Sequence, residues 1–396
     1  MQLFHFHQGN VLNRLIHSEF WLFEISVWLH TFAVSMVAIF IPIFLLQIGY
    51  SIGEVMIFYI IYNVVDVPLN FFARFLTRKM GARWVIILGS VAAILLFISL
   101  FELTSGNWPL LILTAIFAAF YDTFYWVAHI YFFMKCSKDD ENISRDTGIM
   151  RIIKRFAGMT APALGALILV SWDRGALLLI SVAVLVLSIL PLFKIKNIDD
   201  KPRRKQKSFK EFFSSWDISR DYISSMLLTL HRSAEGILWP IFIYRLFVDI
   251  ESVAILPVIV SATAIMFIYV AGKTKKQRRD IVMAMASMAI ALTWIARLFI
   301  DDNAFYYISV FLIGFFTIFV GIPLDSYLFE KGEKIDTLSA STYRNTANMF
   351  ANVILFGVLS IMVNVFDTSF ILASLSMFVV AGLSYFVGQG IASKKV

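Results

Sequence analysis

Long apolar runs broken by short polar turns fill this chain from end to end. Runs free of Asp, Glu, Lys and Arg cover residues 25–53, 84–101, 103–121, 175–193, 253–272, 304–324, 345–366 and 368–393. Four more, at 55–76, 147–171, 223–247 and 281–299, carry one or a few charges. A helix needs about 20 mostly apolar residues to cross a bilayer. Inside hydrocarbon each helix satisfies its own backbone hydrogen bonds. The pattern therefore predicts an all-α polytopic membrane protein with twelve transmembrane helices, six in each half of the chain.

The two halves echo each other. Pro42-Ile43-Phe44 and Pro240-Ile241-Phe242 lie 198 residues apart, each near the end of an apolar run. At the same offset Leu29/Leu227, Thr31/Thr229, Ser35/Ser233, Ile39/Ile237, Ile52/Ile250 and Val55/Val253 are identical. Further on, Tyr131, Phe133 and Lys135 match Tyr327, Phe329 and Lys331 at an offset of 196, and Arg151 matches Arg344 at 193. Small loop deletions account for that drift, so the halves read as a duplicated unit in the same order. Two six-helix bundles of this kind predict a transporter whose site lies in a central cavity between them.

Composition supports the membrane assignment. Only 15% of residues are charged and 59% are hydrophobic, with a mean hydropathy of +0.79, whereas soluble domains carry about 25% charged residues. The lone Cys136 excludes an intrachain disulfide, and residues 1–19 do not resemble a cleavable signal. The net charge of +7 gathers at 74–83, 135–145, 194–210, 273–279 and 394–395. If the N-terminus is inside, all five clusters are cytoplasmic, which predicts both termini in the cytoplasm. Topology explains these basic loops without nucleic acid. The expectation is a monomeric integral protein of the bacterial cytoplasmic membrane, in contact with lipid. The longest polar stretch divides the chain into an N-terminal bundle (1–193), a basic cytoplasmic linker (194–217) and a C-terminal bundle (218–396). Within the linker, Phe209, Phe212, Phe213 and Trp216 recur at helical spacing after Ser208, the pattern of an amphipathic helix on the inner leaflet. Leu12, Leu15 and Ile16 suggest a second such helix.

This 6 + 6 plan resembles the major facilitator superfamily over essentially the whole length. In that family the loop between helices 2 and 3 reads Gly-x-Leu-Ala-Asp-Arg-x-Gly-Arg-Arg. Here residues 74–83 keep Leu76, Lys79, Gly81 and Arg83 but have Arg74 for the first Gly and Arg78 for the Asp. The resemblance implies that Arg78, Lys79, Gly81 and Arg83 belong to a cytoplasmic gate, without the family's acidic latch. In the fifth span, Ala157-Gly-Met-Thr-Ala161-Pro162-Ala-Leu-Gly165-Ala166 is similar to a worn Gly-Pro antiporter motif. Physically, Ala157, Ala161 and Gly165 make a smooth packing face, and Pro162 invites a bend.

Ionisable groups deep in lipid cost about 2.5–3.5 kcal/mol each on insertion scales, so they tend to face a cavity or a partner. His231, Arg232 and Glu235 cluster in the seventh span, where their spacing lets them interact. The repeat-related residues are Ala33, Val34 and Val37, so the cluster is not part of the shared scaffold. The resemblance implies that spans 1, 4, 7 and 10 line the cavity, where Glu235 would trade a proton beside a titrating histidine. In the fourth span Asp122, Tyr125, Trp126 and His129 form one stripe, with Arg155 or Lys154 as the expected partner of Asp122. His30 and Asp66 are single polar positions that are also candidates for the cavity. Arg151 and Arg344 read as gate elements, with Asp325 and Glu330 as acidic partners.

No HExxH or paired-histidine spacing points to a metal, and no cofactor is implied. Gly272-Lys273-Thr274 lacks the Gly that a phosphate loop needs five residues earlier. The expected function is secondary transport of a small molecule by alternating access, as a proton-coupled antiporter acting in efflux. The alternatives are a uniporter or lipid flippase on the same scaffold, then a non-transporting receptor or an intramembrane enzyme.

Overall fold

The computed structural model describes residues 19–136, 140–196, 213–272, 278–335 and 337–393. The expected surface helix at 12–16, and residues 208–212 of the one expected over 208–216, lie outside these residues. So do the side chains at 133–155, which include Arg151 and Arg155. Residues 213–215 form a turn in which Phe213 packs on Tyr222 and Tyr343, and Trp216 opens the next transmembrane helix.

The elements run α1 (Glu19–Ala38), α2 (Ile41–Ile48), α3 (Ile52–Met80), α4 (Ala82–Glu102), α5 (Trp108–Cys136), α6 (Asp140–Ser171) and α7 (Arg174–Phe193). The second half runs α8 (Trp216–Ser233), a π-helical turn (Ala234–Leu238), α9 (Trp239–Phe247), α10 (Glu251–Gly272), α11 (Arg279–Phe299), α12 (Asn303–Ile335), α13 (Thr337–Ile361) and α14 (Val365–Ser393). Paired as α1 with α2 and α8 with α9, they make the twelve expected spans in two bundles. Among the described residues, eight helical segments are long and apolar enough to cross a membrane on that criterion alone. The apolar parts of α6 and α10 are shorter. The remaining two spans, α8–α9 and α13, are rich in polar side chains.

The paired prolines explain why the first and seventh spans break. Proline lacks an N–H and crowds the carbonyl four residues earlier. For Pro42 that carbonyl belongs to Ala38, where α1 stops. For Pro240 it belongs to Gly236, inside the π-turn. The same proline thus accompanies a tight turn in the first half and a π-turn in the second, and that π-turn contains Glu235.

Short caps close the loops. Ser51 and Glu54 form a capping box at α3, with Ser51 N–H donating to Glu54 at 2.7 Å and Glu54 N–H to Ser51 at 3.3 Å. Asp173 caps α7 through Ala176 N–H at 2.7 Å. Gly81 turns the chain between α3 and α4 at φ 86°, left-handed backbone that favours glycine. Large apolar side chains such as Leu95 and Ile98 on α4, Leu187 and Leu190 on α7, and Leu375 and Val379 on α14 are exposed. They form the surface that meets lipid.

The bundles meet along two seams. In one, α3 runs antiparallel to α13; in the other, α6 packs on α10. Within the N-terminal bundle, Gly165 lets α6 reach α1, because a Cβ there would strike the carbonyl oxygen of Met36. Ala157 and Ala161 are fully buried, and α6 stays continuous through Pro162.

Candidate functional site

A cavity of about 780 Å³ lies between the bundles. Thr31 of α1, Ile39 of the turn after α1 and Trp126 of α5 form its N-terminal wall. The seventh span, α10 and α12 form the rest, with His231, Arg232, Glu235, Thr317 and Asp325 as the polar groups. The volume lies within the range of small-molecule sites.

The seventh-span cluster divides its bonds among several helices. Trp294 of α11 donates its indole N–H to Nδ1 of His231 at 2.8 Å. An indole is only a donor, so Nδ1 holds the lone pair. The imidazole proton is then on Nε2, 3.1 Å from the Thr317 hydroxyl. His231 is thereby fixed as a neutral ring. The π-turn aims Glu235 across to α11, where Arg297 grips both its oxygens at 2.5 and 3.2 Å. Arg297 Nε donates to Ser309 at 2.8 Å. Its guanidinium lies 3.5 Å from the Trp239 ring centre and 4.4 Å from that of Trp294. The Arg297 side chain is wholly buried. Pairing, stacking and a third hydrogen bond together offset the cost of burying this charge.

A second polar centre sits where α3, α5 and α13 meet. Asp66 and Asp122 occupy the midpoints of α3 and α5, with their carboxyl groups within hydrogen-bonding reach of each other. Asp66 also accepts from Asn70 Nδ2 at 2.7 Å and from the Thr123 hydroxyl. Asp122 also meets Tyr62 and, from the opposite bundle, Asn345. Asn345 donates to Asn70 at 2.9 Å. Seven residues further along α13, Asn352 donates to Asn63 at 3.0 Å, seven residues back along α3. Ser233 of α8 closes the chain by donating to Asn352 at 2.7 Å. Beyond it, Tyr59 stacks on Phe356 with ring centres 5.1 Å apart.

A model of the Major Facilitator Superfamily matches residues 24–354. The chain belongs to that superfamily. It is a secondary transporter embedded in a membrane. No relative was found among curated proteins. Among solved structures, the chain is similar to a mutant of the nucleoside transporter NupG, with a TM-score of 0.67 and 12% identity. The alignment covers 95% of this chain and 99% of that one. At that identity the likeness speaks for the fold alone.

In this superfamily member the expected site residues separate into three places. Trp126, His231, Arg232, Glu235 and Asp325 line the cavity. Asp66 and Asp122 form the seam centre. His30, Tyr125 and His129 are buried inside the N-terminal bundle: His30 stacks on Tyr125 at 3.6 Å, and His129 on Phe23 at 5.1 Å. A stripe on one face of α5 covers a wide arc, so it reaches all three surroundings.

Four of the expected gate residues, Arg83, Asp325, Glu330 and Arg344, have bonds within their own bundles. Arg344 of α13 pairs with Asp325 of α12, and Glu330 bonds Arg279 at 3.0 Å. Arg83 donates to the Ile195 carbonyl at the end of α7, 2.6 Å away. Lys79 lies over Phe75. On this side Phe71 packs edge-on to Tyr343 across the seam, and Arg74, which replaces the motif's first Gly, lies 5.9 Å from the same ring.

Proposed function

We propose that this protein couples the movement of a small molecule to protons, and that Asp66 and Asp122 hold the coupling proton. The carrying observation is the carboxyl pair itself, at mid-membrane and bridged to the opposite bundle by Asn345. Ionised carboxylates only accept hydrogen bonds, and two of them side by side repel. A bonded pair in the seam, with Asp66 buried and Asp122 half-buried, therefore holds one proton between its oxygens. When the bundles part, Asn345 leaves with α13 and water reaches the pair. Both carboxylates can then be solvated, and the proton departs. Asp66 stays tied to Asn70 and Thr123, so Asp122 is the member whose surroundings change most.

Glu235 has the other role. Held by Arg297, it builds the cavity wall. The antiporter-like stretch 157–166 supports proton exchange for substrate, and hence export. The basic loops support cytoplasmic termini in a bacterial cytoplasmic membrane.

Flux in proteoliposomes over panels of drugs, sugars and lipids tests this reading, with and without an imposed pH gradient. A gradient should drive accumulation of the transported compound, with proton counterflow. Equal flux with and without the gradient would return the uniporter.

A further inference from the structure

We infer that the cavity takes a small organic anion with an apolar body, its charged group bound by Arg232. This rests on the reading of the cavity as the substrate site and adds the substrate's charge. Each lining carboxylate has an arginine bonded to it: Glu235 has Arg297, and Asp325 has Arg344. Arg232 brings the count at this wall to three guanidinium groups against two carboxylates. Among these five groups, however they share their bonds, guanidinium outnumbers carboxylate by one. His231 does not change that sum, because the Trp294 indole fixes its ring as neutral.

Arg232 is exposed although it lies within a membrane span, because the cavity is beside it. Its position depends on Gly321 of α12: a Cβ there would come within 2.7 Å of Arg232 Nη2. The guanidinium thus lies against bare helix backbone. Such a flat fork suits a carboxylate, sulfonate or phosphate. A cationic substrate would have to compete with arginines already bonded to both carboxylates. Around this charge the wall is mostly aliphatic, from Leu256, Val260, Val310, Ile313 and Ile318, with the Trp126 ring opposite. An uncharged polar molecule such as a sugar would leave much of this surface unmatched.

The test uses three probes with the same body: 2-naphthoate, 2-naphthylmethanol and 2-naphthylmethylammonium. Each is titrated by calorimetry into the full-length protein in lipid nanodiscs. Naphthoate should bind at least about tenfold more tightly than the other two, as expected for a charge-assisted pair. Arg232→Gln should remove that preference, and Arg232→Lys should keep part of it, which shows that the fold survives substitution. Naphthoate that binds no better than the alcohol, or not at all, overturns the inference, as does an unchanged preference in Arg232→Gln. A nanodisc holds no gradient, so this result is independent of proton coupling. An anion-selective cavity without coupling and a coupled carrier without anion selectivity give opposite patterns in the two assays.

Discussion

The two seams between the bundles are built from the same pair of repeat positions, yet they differ in chemistry. The internal repeat relates α3 to α10 and α6 to α13, so α3 on α13 and α10 on α6 are equivalent contacts. In the first, Asn63 and Asn70 meet Asn352 and Asn345 beside the Asp66–Asp122 pair. In the second, the counterparts of Asn63 and Asp66 are Ser261 and Ala264, and that of Asn352 is Met159. There, a Cβ on Gly158 would lie 3.3 Å from the Ser261 hydroxyl. Lipid supplies no hydrophobic force between helices, so close contact of small residues is enough to hold a seam. A polar seam adds desolvation cost and rigid geometry. Its presence on one side only sets it apart from plain assembly, and under the proposed function the carboxyl pair is where the coupling proton sits.

Substitutions separate these roles. Gly158→Leu should have the largest effect on stability, because the bulk of leucine must fit a seam already in contact. Overpacking of this kind costs about 1–3 kcal/mol, and a lower thermal midpoint in detergent would record it. An unchanged midpoint would mean that the smooth seam is loosely packed. Asn352→Leu removes two hydrogen bonds at the polar seam, each worth about 0.6 kcal/mol on average in membranes and up to about 1.7. A loss of about 1–2 kcal/mol is expected, with partial recovery in Asn63→Leu/Asn352→Leu, since the double variant leaves no asparagine facing a leucine. Ser261→Ala should stay within about 0.5 kcal/mol. A larger loss there would erase the distinction between the seams.

The twelve spans and the duplication were legible in the sequence because both depend on local pattern and matched letters. The break at Pro42 and Pro240 was marked by the same proline in each half. Glu235, Arg232 and Asp122 stood out as charges in apolar runs. Their partners did not. Arg297 lies close to the end of its helix, where reaching for the interface explains an arginine well enough. Only the π-turn aims Glu235 at it, and helical spacing alone tied Glu235 to His231 and Arg232. The asparagines left a faint sign, a spacing of seven in both the second and the eleventh spans. No rule links two helices so far apart in sequence until the fold brings them together. Asp66 and Asp122 were each noted, but as separate positions for the same reason.

The most direct test of the account compares gradient-driven accumulation with substrate exchange in proteoliposomes carrying Asp122→Asn. Asparagine keeps the size and the hydrogen bonds of the site but cannot give up a proton. Accumulation should fall at least about tenfold while exchange, which needs no net proton movement, continues near the normal rate. Accumulation at the normal rate and pH dependence in Asp122→Asn would contradict the account, and the coupling role would pass back to Glu235.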